Sequence, residues 1–305
     1  MTIVAALDLG SNSLKLTVAR LSKEGLDVLH ERQAITRIGE GLDKNGFLLE
    51  AAMDRTLSAL IELARDAAAH RATKIACVGT AGLRGAANAP MFLERVKGAT
   101  GIEVEIIDGL REAELTFRAP SGQFGPGPVT VFDLGGRSTE VVTGEGAHIS
   151  GRVSIEMGSV RLTERYVQRD PPSDLEVANL LQHAREALRD APDAEPEALL
   201  VGVSGTIISL FGLVRRIPDV DEVIRVAAAE TLSRADVESE LARLSRIKTA
   251  DRIFGTTLPQ MRADVIVAGA AITLATLERY GAKEMCVTHR GVRYGLLEEL
   301  RVGLG

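Results

Sequence analysis

The sequence predicts an α/β protein built from two related halves, each opening as a strand meander flanked by helices, the two facing a central cleft. Three observations carry the prediction. One short motif is written twice, as Asp8-Leu9-Gly10-Ser11-Asn12-Ser13-Leu14-Lys15 and as Asp133-Leu134-Gly135-Gly136-Arg137-Ser138-Thr139-Glu140. Each copy lies between a buried-looking apolar run and a second strand-like stretch, so each falls in the turn of a β-hairpin. Between the copies, Pro120-Ser121-Gly122-Gln123-Phe124-Gly125-Pro126-Gly127-Pro128 is the strongest linker signal of the chain and is read as the domain boundary.

The elements follow in order. Residues 3–10, 13–22 and 25–35 read as a strand meander, and the glycines of 39–46 as a loop. Leu49, Met53, Leu57, Leu60, Ile61 and Ala64 recur at helical spacing, which predicts a helix over 48–70. A strand over 74–79, a helix over 88–99 with Asn88 as its cap, a strand over 103–107 and a helix over 112–118 complete the first half. The second half repeats the meander at 129–134, 138–144 and 148–156. Helices are expected at about 158–168, 173–190, 207–214, 233–246, 262–280 and 291–301, with strands at 198–203 and 284–288.

The chain of 305 residues is long enough for two domains, and its 45% hydrophobic and 26% charged residues are those of a soluble globular protein. No apolar run approaches the ~20 residues that span a bilayer. The N-terminus lacks a basic stretch, and Asp8 interrupts its apolar run, so no secretory leader or membrane association is expected. Two cysteines, Cys77 and Cys286, read as reduced core residues of a cytoplasmic protein. The net charge of −6 argues against general nucleic-acid binding. Three Tyr, seven Phe and no Trp leave few platforms on which a base stacks.

The repeated motif is where chemistry concentrates. A strand ending in Asp, a glycine turn and a returning strand make a hairpin that holds a phosphate, because glycine lets backbone N–H groups approach an anion. Asp8 and Asp133 are therefore read as Mg²⁺ ligands, direct or through water, rather than as caps of their own turns. Ser11, Asn12, Ser13, Gly135, Gly136, Arg137 and Ser138 are read as the phosphate-gripping turns. Lys15, on the face of Ser13, is a point charge for phosphate, and Glu140, at the matching place, positions water or ligates the metal. Arg84, in the Thr/Gly-rich turn after the strand at 74–79, is a fork for phosphate. Glu112, taken alone, is a first-turn acid complementing a helix dipole. Ser204-Gly205-Thr206 ends a strand and opens a helix.

Together these stretches resemble the Ppx/GppA phosphatase family, exopolyphosphatases and guanosine pentaphosphate phosphohydrolases of the actin-like ATPase superfamily. The resemblance rests on Asp8 to Ser13, Thr80 to Asn88, Asp108 to Ala113, Asp133 to Glu140, Met157 to Leu162, Ser204 to Thr206, Arg262-Ala263-Asp264 and Gly291 to Gly295, in order along almost the whole chain. It implies two ribonuclease-H-like (actin-like) domains with mixed sheets, 1–120 with a C-terminal helix at about 290–305, and 121–289. It implies Mg²⁺-dependent release of phosphate from the end of inorganic polyphosphate, with guanosine pentaphosphate hydrolysis or a low-activity polyphosphate- or alarmone-binding sensor as alternatives. It makes Glu112 the residue that activates water, Asp133 and Glu140 the acids for metal and water, and Asn12, Ser13, Arg84, Gly136 and Ser138 phosphate contacts. Gly205 and Thr206 join the phosphate-binding set, and a homodimer is what the family suggests. A superfamily kinase and an actin-like scaffold are the other classes this fold admits. Three positions depart from the family pattern: Arg111 stands for an acid, Arg137 for a glycine and Tyr294 for an acid.

Overall fold

Side-chain alternation organises the sheets, and the motif is best located by following it. The computed structural model describes residues 2–303. The chain divides into two units: one runs to Ala119 and resumes at Val292, and the other is Pro120–Gly291.

In the first unit β1 (Thr2–Leu9), β2 (Ser13–Leu21) and β3 (Leu26–Ile35) form the meander. A short α1 (Leu42–Asn45) lies in the glycine loop, and α2 (Glu50–Ala69) follows. Then come β4 (Lys74–Gly79), a single-turn α3 (Ala81–Arg84), α4 (Ala89–Thr100), β5 (Val104–Ile106) and α5 (Gly109–Arg118). The sheet order is β3-β2-β1-β4-β5, antiparallel within the meander and parallel from β1 to β5.

The second unit repeats this plan. It contains β6 (Pro128–Leu134), β7 (Thr139–Glu145), β8 (His148–Ile155), α6 (Ser159–Tyr166), α7 (Asp174–Ala187), β9 (Leu199–Val203) and α8 (Gly205–Arg215). The chain continues through α9 (Val220–Ala227), β10 (Thr231–Ser233), α10 (Arg234–Leu244), α11 (Ile266–Arg279) and β11 (Glu284–Thr288). Its order, β8-β7-β6-β9-β11-β10, matches β3-β2-β1-β4-β5 strand for strand and adds one antiparallel edge strand. The last helix, α12 (Val292–Val302), belongs to the first unit.

Four short elements escape the sequence reading: the single-turn α1 and α3, the two-turn α9 and the three-residue β10. The helix expected from 262 begins at Ile266, because Gln260–Arg262 forms a tighter 3₁₀ turn. Asn88 occupies the cap position of α4 but does not cap it; its amide instead takes both backbone groups of Leu48, at 2.8 and 3.0 Å.

Side chains of β1 alternate between two cores. Ala5, Leu7 and Leu9 join Leu60 and Phe92 in one core, while Val4 and Ala6 pack with Leu115 and Leu297 in another. Asp8 has the parity of Val4 and Ala6, so its carboxyl lies on the side of the sheet covered by α5 and α12. Helices α5 and α12 approach so closely that a Cβ on Gly295 would lie 2.0 Å from the Leu115 carbonyl oxygen. Arg293, itself buried, donates to the Leu16 carbonyl and to Thr17 Oγ1 at 2.9 and 2.8 Å and pairs with Glu31, fixing α12 to the meander.

Candidate active-site residues

The two copies of the motif fold alike. Asp8 pairs with Lys15 across β1 and β2, and Asp133 pairs with Glu140 across β6 and β7. Each turn is closed by the same bond, Gly10 N–H to the Ser13 carbonyl at 3.1 Å and Gly135 N–H to the Ser138 carbonyl at 3.0 Å. A Cβ at Gly10 or Gly135 would come 3.0 or 2.8 Å from that carbonyl, which is why glycine stands at both.

In the first unit, Ser11, Asn12 and Ser13 are all buried in the turn. Lys15 lies 3.8 Å from Asp8 Oδ2, so part of its charge serves Asp8. Burial raises the Asp8 carboxyl above the ordinary range, opposed by the positive charges of Lys15 and Arg293. Among the described residues Asp8 Oδ1 has no hydrogen-bond partner. The turn after β4 abuts this loop: a Cβ on Gly82 would lie 2.8 Å from Ser11 Cα.

Asp108 caps α5 by accepting the Arg111 N–H at 2.8 Å, which places Glu112 in the first turn. Glu112 is buried, and Arg84 Nη1 donates to its Oε2 and to the Ile107 carbonyl, both at 2.8 Å. The structure thus brings Arg84 to Glu112 through Nη1. Arg111, next in sequence, turns to α12 and grips Glu299 with both terminal nitrogens.

In the second unit, Asp133 is half-buried at the end of β6, and a Cβ on Gly291 would come within 3.3 Å of its Oδ2. Glu140 is 1% exposed and accepts from Ser154 Oγ at 2.7 Å. Gly136, Arg137 and Ser138 are buried, Arg137 at 2% exposure. The loop after β8 packs on this turn so tightly that a Cβ on Gly158 would sit 2.3 Å from Arg137 N.

Gly205 and Thr206 open α8. The Ser204 hydroxyl accepts the N–H groups of Thr206 and Ile207, both at 3.1 Å, so Thr206 has its hydroxyl rather than its amide to offer an anion. Ser204 itself stands at φ 148°, a region that favours glycine. Behind the helix start, Arg262 is buried; its Nη1 donates to the Gly205 carbonyl and, at 3.0 Å, to Ser209 Oγ. Desolvation pulls this guanidinium down to about 10. The sequence shows Arg262 only as part of Arg262-Ala263-Asp264, with nothing that assigns it this role.

Among the described residues no three His, Cys, Asp or Glu side chains form a metal cage. Mg²⁺ does not need one, since it binds one or two carboxylates and completes its shell with water and substrate phosphate. The buried, unpartnered Asp8 Oδ1 and the strand-end Asp133 fit that kind of ligation. Cys77 and Cys286 are free thiols pushed up by burial; Cys77 lies in the core, as expected, whereas Cys286 is only half-buried.

Residues 17–301 match the model of the Ppx/GppA phosphatase family. The chain belongs to that family. The Ppx/GppA match agrees with individual relatives: the chain is 35% identical to exopolyphosphatase 2 of Mycobacterium tuberculosis H37Rv, over 97% of this chain and 98% of that protein. It is 30% identical to a guanosine-5'-triphosphate,3'-diphosphate pyrophosphatase of Photobacterium profundum, over 98% of this chain and 59% of that protein. The crystal structure of the Aquifex aeolicus Ppx/GppA family member superposes with a TM-score of 0.81 at 29% identity, covering 100% and 99% of the two chains. The two mixed sheets with flanking helices are thus those of the actin-like ATPase fold, and the chain is a hydrolase of phosphoanhydride bonds. No helix among the described residues is long and apolar enough to cross a membrane.

Proposed function

We propose that this Ppx/GppA phosphatase is an exopolyphosphatase that releases phosphate from the end of inorganic polyphosphate with Mg²⁺. The observation that carries the reading is the pair of matched hairpins, each with an Asp at the strand end and a glycine-closed turn. Such turns bind phosphate through backbone N–H groups, which suits a substrate with no base or sugar to recognise. The 35% identity to an exopolyphosphatase supports the same choice.

Each side chain has a part. In the first unit the turn amides of Asn12 and Ser13, with Lys15, hold phosphate oxygens; in the second unit the Thr206 hydroxyl does so. Glu112 orients the attacking water and accepts its proton as the phosphorus–oxygen bond to water forms and the bond to the remaining chain breaks. Arg84 fixes the Glu112 carboxylate by the 2.8 Å bond and presents its remaining N–H groups to phosphate. Glu140, held by Ser154, orders water on the second turn. Asp8 in the first unit and Asp133 in the second are each a carboxylate that would ligate Mg²⁺, which when bound would neutralise charge on phosphate oxygens. In phosphoryl transfer, positioning and charge neutralisation supply most of the rate.

A second reading, guanosine pentaphosphate hydrolysis, is favoured by the 30% identity to the Photobacterium profundum enzyme. Phosphate release from long polyphosphate, short polyphosphate and guanosine pentaphosphate, with Mg²⁺ and after chelation, decides between them. Faster turnover of polyphosphate, abolished by chelation, is expected. Turnover of the guanosine substrate alone would replace this reading with the second.

A further inference from the structure

Each hairpin turn is also held from outside, at carbonyls three and four residues after Asp8 in the first copy and two and three residues after Asp133 in the second. In each unit the chain leaving the third strand of the meander folds back and donates backbone N–H groups to the carbonyls of the turn. After β3, Gly39 N–H donates to the Ser11 carbonyl at 3.0 Å, and Thr36 and Arg37 both donate to the Asn12 carbonyl, at 3.1 and 3.0 Å. After β8, Ser159 N–H donates to the Gly135 carbonyl at 3.0 Å, and Val160 and Arg161 both donate to the Gly136 carbonyl, at 2.8 and 3.0 Å. Each turn therefore has two consecutive carbonyls drawn to one side by a collar of amides.

A trans peptide is planar and its N–H points opposite to its C=O. Drawing the carbonyls of Ser11 and Asn12 to the collar turns the N–H groups of Asn12 and Ser13 away from it. The same geometry turns the N–H groups of Gly136 and Arg137 away from the second collar. Successive N–H groups aimed in one direction form an anion-binding concavity.

We propose that these collars are positioning elements that aim the turn amides at the phosphate, with Gly158 and Ser159 setting the second turn. The proposal rests on the reading of the turns as phosphate-binding. Gly158 shows the tightest fit: a Cβ there would lie 2.3 Å from Gly136 C and Arg137 N and 2.5 Å from Gly136 O. Alanine at 158 must therefore rotate the Gly136–Arg137 peptide, the unit that presents the amide. The collar of the first unit is latched separately: Arg55 donates to the Thr36 carbonyl at 3.1 Å and to Glu40 at 2.8 Å, and Arg37 takes the left-handed φ of 52°.

Two variants test this. Gly158→Ala displaces the peptide by contact. Ser159→Pro deletes one collar N–H at the first position of α6, where proline suits a helix; Gly158 before it is extended at φ −149°, ψ 165°, as a residue before proline should be. Gly151→Ala is the comparator, since its Cβ would meet Pro192 Cβ at 2.7 Å, away from the turn. The expected result is a KM and a Kd for polyphosphate of defined length raised roughly tenfold or more in Gly158→Ala and Ser159→Pro, the effect of losing one charge-assisted hydrogen bond, with kcat less affected. Gly151→Ala should lower thermal stability and leave KM unchanged. Native-state hydrogen exchange, read without ligand, should quicken at Val160 and Arg161 in Gly158→Ala.

Folded Ser159→Pro with wild-type KM and Kd overturns the proposal, as does unchanged exchange at Val160 and Arg161 in Gly158→Ala. If the unmutated protein neither binds nor hydrolyses polyphosphate, the reading of the turns fails instead. The exchange experiment then still decides whether Gly158 holds the peptide.

Discussion

Arg84 holds Glu112 by a single nitrogen, Nη1, which donates at 2.8 Å both to Glu112 Oε2 and to the Ile107 carbonyl one residue before the cap of α5. The carboxylate is thereby fixed against the start of its own helix. Glu112→Gln preserves shape and burial but removes the basic oxygen. Its kcat for phosphate release should fall by about 10²–10⁴-fold, while the Kd for polyphosphate stays within a few fold of wild type. An unchanged kcat would remove Glu112 from the mechanism.

Arg111 stands where the family pattern has an acid, and the structure shows what the change does. Its guanidinium faces Glu299 of α12 and Glu114, with Arg118 also 3.3 Å from Glu299. It clamps α5 to α12. Arg111→Glu, which restores the family's charge, would place a carboxylate among Glu114 and Glu299. The expected loss is of order 1 kcal/mol, since the pair is partly exposed, seen as a lower urea midpoint. The kcat/KM of folded enzyme should be unaffected; a large loss of kcat would mean that Arg111 acts on substrate.

The repeat made much of the fold legible. Asp, Gly and Ser recur at equal offsets because each hairpin needs a strand end, a backbone without Cβ against a carbonyl, and a small buried polar residue. Periodicity did the same for α2, whose buried Met53, Leu60 and Leu63 share one face. The collars were not legible: Thr36, Arg37, Gly39 and Ser159 to Arg161 act through backbone N–H groups, which every residue but proline has, and the motif of Met157 to Leu162 does not say where those groups point. Nor was the pairing of Arg84 with Glu112, twenty-eight residues apart, visible without the geometry that brings the turn after β4 beside α5. Lys15 was read toward phosphate because strand parity gives its face; parity does not reveal that Asp8 shares it at 3.8 Å.

Arg293 is predicted to matter for stability. It is buried, its Nη1 reaches the Leu16 carbonyl and Thr17 Oγ1, and Glu31 lies 3.2 Å away. Arg293→Met fills similar volume but leaves Thr17 and Glu31 without their cation. Because Glu31 is partly exposed, a loss of roughly 2–4 kcal/mol is expected, below or within the range for a fully buried pair. Denaturant unfolding of Arg293→Met, compared with Arg301→Met near the end of the same helix, measures it. Equal stabilities would show that α12 is held by its apolar face alone.

Acid stability should be sensitive to Glu176. With Ser173 it forms a reciprocal capping box on α7, and its oxygens also accept the Gln168 N–H at 2.7 Å. The backbone bond from Ser173, then that from Gln168, and the Ser173 hydroxyl hold the carboxyl down at about 2, against 4.5 for an ordinary glutamate. A carboxyl lowered by folding stabilises the protein above its unfolded pKa, and that contribution is lost as protons bind. The contribution is therefore full above about 4.5 and disappears as pH falls toward about 2. Glu176→Gln lacks the charge at every pH, so the difference in unfolding midpoint between wild type and variant should be largest at pH 6 and shrink steadily below pH ~4.5. Exchange of the first-turn amides of α7 should follow the same curve in the wild type only. A difference that does not change with pH would show that the box works through geometry and not through its charge.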